Sequence, residues 1–145
     1  MLEMLKERKA ALEAQGKKGF TLMEMLIVIA IIAILIAIAI PIFSAQLERA
    51  NEAKDAANLR AAYATAAAAA VTENKNISAG PVTLTQTGSF DYVKEKIGTA
   101  DISTAKDLKT AYVNVNKADG SATISQSATS GYTVVDPVSG QVKSS

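Results

Sequence analysis

Few side chains in this sequence could do chemistry, and almost all of them are carboxylates. Histidine, cysteine and tryptophan are absent from its 145 residues, which removes the commonest members of nucleophilic triads and zinc sites. Asp91 and Glu95 are spaced one helical turn apart. Such a pair can form an acid–base couple, but on a short surface helix it reads as solvated charge. Asp119 and Asp136 stand beside turn residues, Gly120 and Pro137. One acid is different in kind. Glu24 follows Lys17-Lys18-Gly19-Phe20-Thr21-Leu22-Met23 and heads the unbroken apolar run Leu26–Ile40. A charge at the centre of a membrane helix costs about 2.5–3.5 kcal/mol, and less near an end. A sequence that keeps Glu24 there needs a partner for it.

The elements around Glu24 follow from composition. Residues 1–19 are charged and helix-favouring, with Lys6, Arg8, Lys9, Lys17 and Lys18 outnumbering Glu3, Glu7 and Glu13; an excess of positive charge beside an apolar run places this end in the cytoplasm. Phe20 to Phe43 is about 24 residues, roughly 36 Å as a helix, enough to cross a hydrocarbon core of about 30 Å. An ordinary signal peptide, cut after Ala37-Ile38-Ala39, has a shorter apolar core. That reading and a plain membrane anchor both leave Glu24 unexplained. Pro41 lacks a hydrogen-bonding N–H and crowds the preceding turn, so a kink is expected near the outer membrane face.

The helical pattern continues beyond Pro41. Phe43, Leu47, Ala50, Ala53, Ala57, Ala61, Ala64, Ala68 and Val71 recur at three- and four-residue intervals and mark one face, which is expected to pack on the chain's own sheet. Glu48, Arg49, Glu52, Lys54, Asp55 and Arg60 occupy other faces and read as weak surface pairs. Asn74-Lys75-Asn76 ends the pattern. The result is a single helix of about 80 Å. A small domain cannot cover that length, so lipid or other copies of the chain must bury the rest.

Residues 76–145 carry strand and turn signals. Val82, Leu84 and Gln86 suggest a short edge strand after Gly80-Pro81, and Ser89–Ile97 reads as a short helix capped by Ser89 and ended by Gly98. Alternation over Leu108–Asn116, Ala122–Ala128 and Tyr132–Val135, with turns at Asp119-Gly120, Ser130-Gly131 and Asp136-Pro137, predicts a three- to four-stranded antiparallel sheet on the upper helix. The fold class is therefore α+β. The net charge is +1 and no basic cluster is interleaved with aromatics, which argues against direct nucleic-acid binding. No constellation suggests an enzyme or a cofactor.

Gly19-Phe20-Thr21-Leu22-Met23-Glu24-Met25 with its apolar run resembles the type IV prepilin signature. The likeness covers roughly Lys17–Leu47, and Pro41 matches the helix kink of that family. The resemblance implies a leader 1–19 removed after Gly19 by a prepilin peptidase and N-methylation of the new terminus, Phe20. It gives Glu24 the role of pairing with the Phe20 amine, of its own or a neighbouring subunit. It further implies a filament-core helix 20–43, an amphipathic upper half 44–75 and an exposed β domain 76–145. Partners would be copies of the chain in a helical filament, the assembly machinery and, before assembly, the lipid of the cytoplasmic membrane. The family's rival form is a pseudopilin of a secretion or DNA-uptake machine. In major pseudopilins a calcium site in the last loop is common, for which Asp119 and Asp136 are the candidates. A reading from another class is a membrane-anchored binding module. Two departures stand out: Ala33 occupies a position where many members have glycine, and the cysteine pair that pins the last loop in many such pilins is missing.

Overall fold

The computed structural model describes residues 1–16, 20–86, 90–91 and 93–143. Two helices come first, α1 over Leu2–Gly16 and α2 over Leu22–Glu73. Six strands follow: β1 Ile77–Thr83, β2 Lys96–Ile97, β3 Ala100–Asp101, β4 Thr110–Val115, β5 Ala122–Ser125 and β6 Thr133–Val135. A 3-10 turn, Ile102–Ala105, lies between β3 and β4. The chain divides into two compact units, Met1–Phe43 and Ser44–Ser145.

In the second unit α2 stops where the chain can turn. Asn74 adopts a left-handed φ of 52°, a conformation that asparagine tolerates at a helix end. The Lys117 ammonium donates to the Asn74 carbonyl at 3.0 Å. The main sheet has the order β5-β4-β1-β6, with β1–β4 and β4–β5 antiparallel. β6 runs parallel to β1. The sheet is thus mixed, where alternation alone suggested an all-antiparallel one. The chain leaves β5 at one edge and crosses to the other, and side-chain period carries no information about which strand it joins there. Val142 forms a single antiparallel bridge to Val135 on the outer side of β6.

β1 is central and starts before Gly80-Pro81, where the sequence suggested a short edge strand over Val82, Leu84 and Gln86. The register explains this. Ala79 pairs with Val113 and Val82 with Ala111, so one extra residue bulges from β1 at Gly80-Pro81, one of the places where a strand accepts proline. β6 pairs only with Ile77, Ser78 and Ala79, so no β6 residue requires the N–H that Pro81 lacks.

The expected helix at Ser89–Ile97 is not formed. Ser89 lies outside the described residues, residues 93–95 are irregular, and Lys96–Ile97 pairs with Ala100–Asp101 in a small hairpin. Gly98 turns this hairpin with φ +63°, and a Cβ there would come within 2.7 Å of the Tyr63 ring. Glycine is needed at Gly98 for both reasons.

One core forms between α2 and the sheet. Ala56, Leu59, Ala62, Ala66 and Ala70 meet Ile77, Ala79, Val82, Ala111, Val113, Val115, Ile124 and Val135. The face of α2 that packs is therefore not the expected one. Phe43, Leu47, Ala50, Ala53, Ala57, Ala61, Ala64, Ala68 and Val71 are all exposed, and the buried face also carries Glu52 and Asp55. These two acids are at most 1% exposed, and backbone donors answer their charge. Asp55 accepts from the Thr85 N–H at 2.6 Å, the Gln86 N–H at 2.8 Å and the Thr85 hydroxyl at 3.0 Å. Glu52 accepts from the Val93 N–H at 3.2 Å. A carboxylate satisfied by several N–H groups can be buried where an unpaired one cannot. The pair thereby pins Thr85, Gln86 and Val93 onto the helix.

Two outcomes follow for the detergent-solubilised chain, read by thermal denaturation under circular dichroism. Asp55→Ala leaves buried N–H groups without an acceptor and is expected to cost about 3 kcal/mol. Gly98→Ala is expected to destabilise by about 1–3 kcal/mol through its left-handed φ, with the Tyr63 contact adding to that. Wild-type melting of either variant would contradict the corresponding contact.

Candidate functional site

The sequence directs attention to the start of α2, and there the local structure is a capping box. Thr21 precedes the first helical residue, Leu22, and its carbonyl accepts the Met25 N–H at 3.2 Å. The Glu24 N–H donates to the Thr21 hydroxyl oxygen at 3.2 Å. In return Glu24 Oε2 accepts from the Thr21 N–H at 2.9 Å and from its hydroxyl at 3.1 Å. Threonine followed three residues later by glutamate is the sequence form of this reciprocal motif. Thr21 is the residue that sequence reasoning passed over, although Thr21-Leu22-Met23-Glu24 carries its signal in full.

The box has two chemical consequences. It gives an otherwise isolated carboxylate two donors at the positive end of the helix dipole, where negative charge is favoured. It also engages one oxygen of Glu24 and leaves Oε1 without a partner among the described residues. Phe20, immediately before the cap, is exposed and outside the helix. Gly19 lies outside the described residues, as do Lys17 and Lys18.

Beyond this turn the surface is apolar throughout. Leu22, Met23, Met25, Leu26 and every larger side chain onward to Phe43 are exposed, and none of the most apolar stretch of α2 is buried within the chain. The helix is long and apolar enough to cross a membrane. Pro41 lies inside α2, which continues through it to Glu73.

The other acidic candidates are occupied by turns. Asp119 Oδ1 accepts from the Ser121 N–H at 2.9 Å in the β4–β5 connection. Asp136 Oδ1, after β6, accepts from the N–H groups of Ser139 at 2.8 Å and Val138 at 3.0 Å, and from the Ser139 hydroxyl at 3.1 Å. The strand order places these aspartates at opposite edges of the sheet, and no group of three or more acids or histidines comes together among the described residues. Asp91 and Glu95 do not share a helix face, because no helix forms there; Glu95 instead makes an ion pair with Arg60. Hydrogen bonds from Ser103, Ser121 and Ser139 hold Asp101, Asp119 and Asp136 respectively below the ordinary carboxylate range. A carboxyl with a depressed folded pKa contributes stability that is present above its unfolded pKa and is lost as pH falls through the folded one. The melting temperature is therefore expected to fall on acidification below the unfolded value, about pH 4. Asp136→Asn should flatten that dependence, and an unchanged acid limb would contradict the assignment.

No solved structure matches the chain. A family model does match, at residues 15–40, and its description is the prokaryotic N-terminal methylation motif. That span contains Phe20, the Thr21–Glu24 capping box and the apolar run as far as Ile40. The chain is thus similar, over residues 15–40, to the prokaryotic N-terminal methylation motif.

Proposed function

We propose that this chain is the precursor of a type IV pilus subunit of the major type, a structural protein and not an enzyme. The observation that carries the reading is Glu24, a carboxylate at the head of a wholly exposed apolar helix with one oxygen engaged by Thr21 and the other unpartnered among the described residues. In this account a prepilin peptidase cuts after Gly19 and Phe20 becomes the N-methylated terminus. Glu24 then pairs with the Phe20 amine of its own or a neighbouring subunit. A carboxylate in lipid is costly, whereas one hydrogen-bonded and paired in a filament core is much less so. Residues 20–43 sit in the cytoplasmic membrane before assembly, with the N-terminus inside, and form the filament core afterwards. A kink at Pro41 joins them to the upper half, 44–75, and residues 76–145 face outward on a surface filament serving adhesion, motility or aggregation.

The exposed stripe from Phe43 through the alanines to Val71 supports the same reading, since it continues the unburied surface of α2 in small side chains that allow close helix approach. Glu24→Ala is expected to leave leader removal and membrane retention unchanged and to abolish filaments under electron microscopy. Normal filament yield from that variant would overturn the role given to Glu24. Filaments in which this chain is the main component favour a pilus over a pseudopilus; a short assembly that accompanies a secretion or DNA-uptake machine favours the latter.

A further inference from the structure

The charged side chains of α2 between Ser44 and Glu73 are nearly all committed. Glu48 and Arg49 are engaged, Glu52 and Asp55 hold backbone N–H groups, and Arg60 pairs with Glu95. Lys54 and Glu73 remain. Both are exposed, they are opposite in sign, and neither side chain has a hydrogen bond or ion pair among the described residues. They stand about 28 Å apart along the helix, so they cannot meet within one chain.

Glu73 closes the end of a groove of about 450 Å³ between α2 and the last turn. Ala64, Ala68 and Ala69 line it on the helix side, and Val138, Ser139 and Gly140 on the other. The Thr65 hydroxyl fixes that turn to the helix by donating to the Pro137 carbonyl at 3.1 Å. Val138 is apolar, yet 89% exposed. An apolar knob is available elsewhere on the same unit. Leu47 is exposed and lies about two turns before Lys54 on the same face of α2. Glu73 lies about two turns beyond the middle of the groove, between Ala64 and Ala68. A second copy laid parallel therefore brings Leu47 into the groove and Lys54 to Glu73 together. Laid antiparallel with Leu47 in the groove, it would bring Lys54 level with Arg60, a like charge.

We infer that this groove receives Leu47 of a second copy of the chain, parallel and displaced by about 28 Å along the helix, with the incoming Lys54 paired to Glu73. This docking rests on the reading of the chain as a filament subunit, whose copies stand in one membrane and point the same way. Burial of Leu47 against Val138 supplies attraction, and the charge pair fixes the register. The contact is head-to-tail, since each copy offers Leu47 to one neighbour and its groove to another. Such a contact extends into a filament when it does not close on itself.

The sequence contains no cysteine, so introduced disulfides report contacts between copies. Leu47→Cys and Ala68→Cys are placed on separate, differently tagged full-length chains produced in the same cells. Membranes and sheared filaments are oxidised with copper phenanthroline. The mixed dimer is expected in several-fold excess over either like pair. Lys54→Glu or Glu73→Lys, introduced into both tagged chains, is expected to lower the mixed dimer and the filament yield several-fold. Chains carrying both changes are expected to recover them. Filaments without the mixed dimer, or with like pairs in excess, overturn the docking and leave the filament reading standing. Single charge variants at the unaltered yield overturn the Lys54–Glu73 pairing. A mixed dimer in membranes from which no filament grows sustains the docking and overturns the filament reading. Absence of both the mixed dimer and filaments overturns both.

Discussion

Everything in this molecule answers to one constraint: the large apolar side chains from Leu22 to Phe43 are all exposed. Apolar surface on this scale does not stay in water, since each square ångström returned to an apolar environment is favourable by about 25 cal/mol. The helix must therefore be covered by lipid or by protein. Glu24 is its one ionised exception. The capping box makes that exception tolerable, because the carboxylate caps the start of the helix. In the filament reading proposed above, the same feature that would penalise a plain anchor serves as a handle for assembly.

The globular unit solves a different problem with similar means. Its helix contributes mainly alanines and a single leucine, Leu59, to the core, and alanine burial is individually small. Loop order comes instead from the two carboxylates on the buried face. Asp55 and Glu52 collect backbone N–H groups of residues 85, 86 and 93 that no strand would satisfy. On the far side of the sheet, Ser78 and Asn114 form a buried cross-strand pair at 2.6 Å, and the Asn114 amide continues to Ser125 at 2.8 Å. The last turn, with no disulfide available, is tied by Asp136, by the Thr65 hydroxyl to the Pro137 carbonyl at 3.1 Å, and by the Lys143 ammonium to the Gly80 carbonyl at 3.0 Å.

What could be read from sequence followed the strength of the local signal. An unbroken apolar run, followed by three- and four-residue spacing from Phe43 to Val71 with Asn74-Lys75-Asn76 after it, marked α2, and alternation marked β4, β5 and β6 to within a few residues. Face and pairing were harder. A stripe of alanines and an opposite stripe containing Glu52 and Asp55 invite the wrong choice of core. Only the N–H groups that come to those acids from distant loops make their burial possible. The parallel pairing of β6 and the central place of β1 are likewise long-range facts, and proline in β1 concealed the latter by sitting in a bulge. The Ser89–Ile97 segment had a helical apolar spacing, but among its described residues the Val93 N–H goes to Glu52 and Lys96–Ile97 enters a hairpin turned at Gly98 against Tyr63. At the candidate site the reverse held, since Thr21 and Glu24 interact within one turn, where sequence spacing is sufficient.

The central claim is that the exposed apolar helix is an assembly element released by one cut and bearing Glu24 beside a new terminus. The intact mass and amino-terminal sequence of the exported protein test it most directly. The account requires a chain that begins at Phe20 and carries one added methyl group on its amine. A chain that begins at Ile40, or one that retains Met1–Gly19, would contradict it.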